Sequence, residues 1–355
     1  MGDTHPAAGQ QSDRTDCEKR IPAVSSKRTA AVAIAAIATA ALAAIPAGAD
    51  PVGAPTYREI VVVGSDTTQT VMNGLADAIT INGVKVMGSY DARGSATITT
   101  KDPAVTPNCT INRPGSSGAG VTALITATDS GSGCVQVARS SSNTAANNPG
   151  RNLTYVPFAV DAMTYAVRSD STVSKKLTTA QLKSIYNCTA PGVGTNFKPL
   201  LPQFGSGSRD FFLKSLGLPN TADFTTQFPC VKDTDANGAP IQEHVGTYLT
   251  DTKHLLAYSI AVYASQVYGQ APAAQGKAVL ASLNGVSPTI LNTGSSFKRD
   301  VYNVVSTPKL AQAPYNSLFV GPGSLVCQRT DVITQYGFGI APNCGDTSIV
   351  TPPAS

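Results

Sequence analysis

Three short loops place glycine beside serine or threonine at the point where an apolar run gives way to a helical pattern. They are Gly64-Ser65-Asp66-Thr67-Thr68 followed by Gln69, Arg113-Pro114-Gly115-Ser116-Ser117-Gly118-Ala119-Gly120, and Gly205-Ser206-Gly207-Ser208 followed by Arg209. A fourth polar turn, Arg139-Ser140-Ser141-Ser142, closes another short apolar run. Glycine lets the backbone turn sharply and approach a ligand, while hydroxyls and free N–H groups at a helix start supply donors. A helix N-terminus also carries about half a positive charge, so such turns suit an oxyanion. Serine and threonine are equally the favoured N-caps, so one loop alone argues only for a cap. Three in one chain point to shared chemistry, provided that they converge.

Magnitudes favour donors over dipoles. Helix termini contribute about 0.3–1 kcal/mol each, too little for a micromolar site that needs about −8 kcal/mol. Hydrogen bonds to a charged ligand contribute about 1.5–3 kcal/mol each, so several hydroxyl and amide donors with one arginine suffice.

The elements that must position these loops alternate. Glu59-Ile60-Val61-Val62-Val63 reads as a buried parallel strand, and Gln69 to Ile79 has helical spacing. Val121 to Ala127 predicts a helix and Cys134 to Ala138 a strand. Leu153 to Arg168 reads as extended chain interrupted near Asp161, and Thr178 to Tyr186 as a helix. Helices are further expected from Arg209 to about Leu216 and near Leu255–Tyr268, with strands near Ile290 and over Val301–Val305. The alternation argues for α/β domains with mainly parallel sheets.

In their order, GSDTTQ, RPGSSGAGV, VARSSS and FGSGSRDFFL resemble the loops of the phosphate-binding proteins of ABC transporters. The resemblance extends to Val156-Pro157-Phe158-Ala159-Val160-Asp161 and to Leu177-Thr178-Thr179-Ala180-Gln181-Leu182, and covers most of residues 58–305. It implies a two-lobed type II periplasmic-binding-protein fold with a hinge, the ligand being held between lobes. Lobe one is expected at 55–155 plus 266–350 and lobe two at 156–265. The ligand donors implied are Thr67, Thr68, the N–H of Gln69, Ser116 or Ser117, Ser140, Ser141, Ser206, the N–H of Gly207, and Ser208. Two departures stand out. Ser141 falls where the family has an aspartate that accepts the hydrogen of a protonated phosphate, and Pro202 falls where it has an arginine. Arg139 and Arg209 are the substitute cations, and Asp66 the substitute acceptor. Without a carboxylate the site would tolerate sulfate, which offers no hydrogen. The resemblance implies no cofactor, a monomeric capture protein, and an ABC permease as partner.

Bland readings stand beside these. Arg139 reads equally as a surface charge, Asp66 as a helix cap, and Asp161 as a hinge residue or a satisfied buried carboxylate. Tyr155, Tyr165 and Tyr186 read as core aromatics. With aromatics at 6% and no tryptophan, a sugar cleft is disfavoured. A serine hydrolase lacks the G-x-S-x-G elbow and has only His244 and His254 as bases, and the P-loop pattern of a nucleotide enzyme is absent. An interaction protein that retains the fold without transport is the remaining class.

Composition sets the bounds. A chain of 355 residues exceeds the roughly 250–300 at which one core stops growing. The net charge of +4 is too small and dispersed for nucleic acid. Residues 1–49 read as a signal peptide: a charged stretch ending at Lys27-Arg28, an alanine-rich run from Ala30 to Ile45, and Ala47-Gly48-Ala49 as cleavage site. The run falls short of the roughly 18–20 residues of a membrane span. No cysteine follows Ala49 closely enough for lipid tethering, so the protein is expected outside the cytoplasm, either released after cleavage, held in a periplasm or anchored by a retained leader. Cleavage removes Cys17 and leaves six cysteines, an even set that reads as three disulfides in an oxidising compartment. Sequential pairing, Cys109–Cys134, Cys188–Cys230 and Cys327–Cys344, closes each loop within one region.

Overall fold

The computed structural model describes residues 50–51, 53–289 and 297–354. The leader and the strand expected near Ile290 lie outside these residues. The β-branched run Ile60–Gly64 forms a fully buried strand, β1, and the chain turns at Gly64 into helix α1, Gln69–Ala78. After β2 (Met87–Ser89) comes helix α2 (Ser117–Asp129), whose first turn is held by the Ser116 hydroxyl accepting from the Ala119 N–H. Strand β3 covers Val137–Ser140, shifted toward the serine turn from the expected Cys134–Ala138.

Strand β4 runs unbroken over Leu153–Arg168, so the interruption expected at Asp161 is not there. The irregularity lies earlier. The register against strand β8 (Lys298–Ser306) shifts between Val301, opposite Ala159, and Tyr302, opposite Pro157. Proline lacks the N–H for a regular ladder, and bulges are where strands tolerate it. Between these strands lie α3 (Thr179–Tyr186), with a reciprocal Thr178–Gln181 capping box, β5 (Lys198–Leu200) and α4 (Gly207–Ser215). The helix expected near Leu255–Tyr268 divides into strand β6 (His254–Ser259) and helix α5 (Ile260–Val267). Pairing of β6 with β4 overrides local propensity, and the Ser259 hydroxyl accepts from the Val262 N–H to start the helix. Strand β7 (Ala278–Leu280) and, after β8, strand β9 (Gly339–Ile340) both add to β4.

The sheet order is β5-β6-β4-β8-β3-β1-β2. The outer strands pair in parallel, β1 with β2 and β3, and β5 with β6, whereas the long central β4 and β8 run antiparallel to their neighbours. Two apolar clusters flank the β1 end, one built on Ile60, Val62 and Phe158, the other on Val61, Val63 and Tyr155. Two more flank the β5 end, one around Tyr165, Phe212 and Leu255, the other around Leu200, Leu256 and Tyr258. Strand β4 therefore enters one pair of cores with its first half and the other with its second. Near the crossing expected around residue 265, Ala261 and Val262 of α5 pack in the cluster of Ile60 and Phe158, whereas Ala278, Ala281 and Leu283 pack at the β5 end, where β7 pairs with residues 166–168 of β4. Cys109–Cys134, Cys188–Cys230 and Cys327–Cys344 are bonded in the expected sequence, with Cα separations of 5.2, 5.8 and 5.8 Å.

Close backbone approach explains one glycine pair. A Cβ on Gly120 would lie 2.6 Å from the Gly64 Cα, and Gly64 itself has φ +117°. Helix α2 thus packs directly on the end of β1. Gly120→Ala is expected to lower stability by about 1–3 kcal/mol, as overpacking against unyielding backbone does. A thermal melt of the variant at unchanged far-ultraviolet circular dichroism checks it.

Candidate functional site

The loops at the ends of β1, β3 and the start of α4 meet. Thr67 and Ser208, 141 residues apart in sequence, place their hydroxyl oxygens 3.0 Å from each other. Both reach one carboxylate oxygen, Oε2 of Glu243, at 2.6 Å from Thr67 and 2.9 Å from Ser208. The His244 Nε2 lies 2.9 Å from the Thr67 hydroxyl and 3.3 Å from that of Ser208. Directly beside them, Ser117 Oγ accepts from the Ser141 N–H at 3.1 Å. A Cβ on Gly207 would come within 2.4 Å of both the Ser117 and Ser141 hydroxyls, so only glycine lets α4 start against these two serines. Gly118 N–H donates to the Gly205 carbonyl at 3.3 Å, which ties the second and third loops together.

The cation comes from β8. Arg299 donates to Ser208 Oγ at 2.9 Å and to the Gly207 carbonyl at 3.3 Å. It also donates from Nη2 and Nε to one oxygen, Oδ2 of Asp161, at 2.8 and 3.1 Å. Asp161 on β4 also accepts from the Ser259 hydroxyl and, at 3.3 Å, the Ala261 N–H. The Asp161–Arg299 pair is buried and lies on the two strands that join the pairs of cores. Arginine in such a fork presents rigid N–H groups and keeps its charge, which suits it to an oxyanion.

Proton positions follow from the partners. The Ser259 N–H points at His244 Nδ1 at 3.1 Å, so that nitrogen is an acceptor and Nε2 carries the ring hydrogen. Nε2–H donates to Thr67, and Arg299 donates to Ser208. The two hydroxyl hydrogens are then free to go to Glu243 Oε2. Burial alone would raise the Glu243 carboxyl, but the hydrogen bonds it accepts from His244 and the Thr67 hydroxyl outweigh it and hold it well below the usual carboxylate range. Its other oxygen, Oε1, is buried without a hydrogen-bond partner among the described residues, and so is the Thr68 hydroxyl. Unpaired buried acceptors and donors are uncommon in proteins and point to a ligand.

Not every residue singled out in the sequence joins this cluster. Thr67, Ser117, Ser141, Gly207 and Ser208 do. Ser116 and Ser206 cap helices α2 and α4, accepting from Ala119 and Arg209 N–H groups. Ser140 turns its hydroxyl to the Ser142 carbonyl. The Gln69 N–H is taken by the Asp66 carbonyl, and its side chain accepts from Ala92. Asp66 pairs with Arg93, which also donates to the Glu243 carbonyl. Neither expected cation reaches the hydroxyls. Arg139 is fully buried, and its guanidinium is taken up by Ser89 and by the carbonyls of Val62, Gly64, Ser65 and Tyr90. It holds the first loop in shape from behind. Arg209 pairs with Asp233 at 2.7 Å and lies between the Phe204 and Phe224 rings.

Sequence reasoning missed Glu243 and Arg299 and considered His244 only as a hydrolytic base. Glu243-His244 sits in an irregular loop with no periodicity to mark it. Arg299 had one available signal, a Lys-Arg-Asp run at the head of an otherwise apolar strand.

A family model for the PBP superfamily domain matches residues 49–309. The chain belongs to the PBP superfamily. Its α/β architecture is the type II periplasmic-binding-protein fold, as the loops implied. Among solved structures, the chain is similar to one from Clostridium perfringens described as a phosphate ABC transporter substrate-binding protein with bound phosphate. Identity is 17%, TM-score 0.53, with 79% of this chain and 99% of that one covered, so the likeness is one of fold. An ABC-type phosphate transport receptor from Vibrio cholerae matches at 16% identity and TM-score 0.47, covering 80% of this chain and 100% of the other. No curated protein sequence matches the chain.

Proposed function

We propose that this PBP-superfamily protein captures hydrogen phosphate, with Thr67, Ser117, Ser141 and Ser208 hydroxyls, the Thr68 hydroxyl and the α4 N-terminus as donors and Arg299 as the cation. The observation that carries the reading is the meeting of Thr67 and Ser208, from loops attached to different cores, on one buried carboxylate beside one buried guanidinium. An oxyanion offers those hydroxyl hydrogens stronger acceptors, and a P–OH group returns a hydrogen to Glu243. The carboxylate missing from the serine turn is thus supplied by another loop, and Asp66 is not needed for it. In this reading the protein is exported after cleavage near Ala49, acts as a monomer and delivers its ligand to an ABC permease.

The hydrolase reading loses ground on the same ring. A serine hydrolase needs a histidine nitrogen free to take the serine proton and a carboxylate on the opposite nitrogen. Here Nε2 carries a hydrogen that it donates to Thr67, so it cannot take a serine proton, and Nδ1 faces a peptide N–H.

Isothermal titration of the chain from residue 50 onward tests the proposal. Phosphate is expected to bind with a dissociation constant in the micromolar range or tighter, and sulfate at least about tenfold more weakly, since each tenfold is about 1.4 kcal/mol. Absence of phosphate binding, with intact folding by circular dichroism, would leave an interaction protein that has kept the fold without the ligand.

A further inference from the structure

Glu243 and His244, which touch the hydroxyl cluster, also line a cavity of about 460 Å³. A bare tetrahedral anion held by the hydroxyl cluster leaves this space unused. Three carboxylates line it, Asp66, Asp91 and Glu243, against one guanidinium, Arg93. The rest of its lining mixes polar residues, Gln69, Thr70, His244 and Gln266, with an apolar strip that includes Val262, Ala271 and Pro272. Glu243 is 3% exposed, and its Oε1, the oxygen turned away from Thr67 and Ser208, has no partner among the described residues. Arg93 is engaged by Asp66 and the Glu243 carbonyl, and among the described residues the Asp91 carboxylate has only the Asn73 amide, at 2.7 Å, as a side-chain hydrogen-bond partner. Burial pushes the carboxyls of Asp66 and Asp91 above their usual range, as happens where acids are short of compensating charge.

We infer that the site also takes a phosphonate or phosphate monoester bearing a short alkyl-ammonium arm, with the anionic head on the hydroxyl cluster and the ammonium between Glu243 Oε1 and Asp91. The methylenes lie along Val262 and Pro272. The ammonium supplies Glu243 Oε1 with the hydrogen-bond donor it lacks. This inference rests on the proposed oxyanion site and deepens it by naming a class of ligand.

Titration with phosphate, 2-aminoethylphosphonate and ethylphosphonate tests it, the last two differing only in the ammonium. The aminoalkyl compound is expected to bind at least about tenfold more tightly than ethylphosphonate, and Asp91→Asn to reduce that preference to less than about threefold while phosphate affinity stays within twofold. Equal affinities for the two phosphonates overturn the inference and leave the phosphate reading standing, as does binding of phosphate with neither phosphonate. Loss of all three overturns both. If Asp91→Asn fails to fold, repeating the pair of phosphonate titrations on the wild-type chain at about 0.5 M salt decides instead, because an ammonium–carboxylate preference shrinks with screening and a steric one does not.

Discussion

Arg299→Met is expected to abolish phosphate binding and to lower folding stability by about 3–5 kcal/mol. The second figure follows from what the substitution strands. Asp161 is fully buried, and among the described residues the guanidinium supplies two of its four hydrogen bonds and its only ion pair. Removing one partner of a buried pair leaves an uncompensated charge, whereas replacing both is often close to neutral. The double variant Asp161→Asn/Arg299→Met should therefore regain most of the lost stability in urea unfolding. It should not regain the ligand. Stability and binding thus separate along the two variants: if Arg299 only braced the strands, the double variant would bind phosphate again as it refolds to wild-type stability.

The contrast with Arg139 shows what the sequence could and could not convey. Its place at the end of a strand beside three serines made it the natural ligand cation, and its burial fits that expectation. Burial says nothing of direction, however, and the carbonyls of Val62, Gly64, Ser65 and Tyr90 claim the whole guanidinium. The three glycine loops were legible because each joins a strand to a helix, and local chemistry alone demands glycine and a cap there. The disulfides were legible because short loops within one region leave little choice. Glu243, His244 and Arg299 come from an irregular loop and from the far strand of the crossing, and only the pairing of β4 with β6 and β8 brings them to Thr67. The same pairing turned His254–Ser259 from expected helix into strand. Non-local ladders carry this information, and no window of sequence contains it.

Glu243→Gln is expected to reverse the choice between anions, with the ratio of phosphate to sulfate affinity falling by about 100-fold in paired titrations. In the protein as it stands, Glu243 Oε2 receives the Thr67 and Ser208 hydroxyl hydrogens. An anion that draws those hydrogens away leaves the carboxylate facing it. Hydrogen phosphate compensates by donating its own hydrogen, but sulfate has none at neutral pH and leaves two sets of lone pairs opposed. A hydrogen bond to a charged group contributes about 1.5–3 kcal/mol, which is about 10–150-fold in affinity. Glutamine removes the charge and can turn its amide N–H toward sulfate, so sulfate gains while phosphate loses a strong acceptor. The change should therefore appear in both affinities, in opposite directions. A fall in both by the same factor would mean that Glu243 shapes the loop without reading the proton on the ligand.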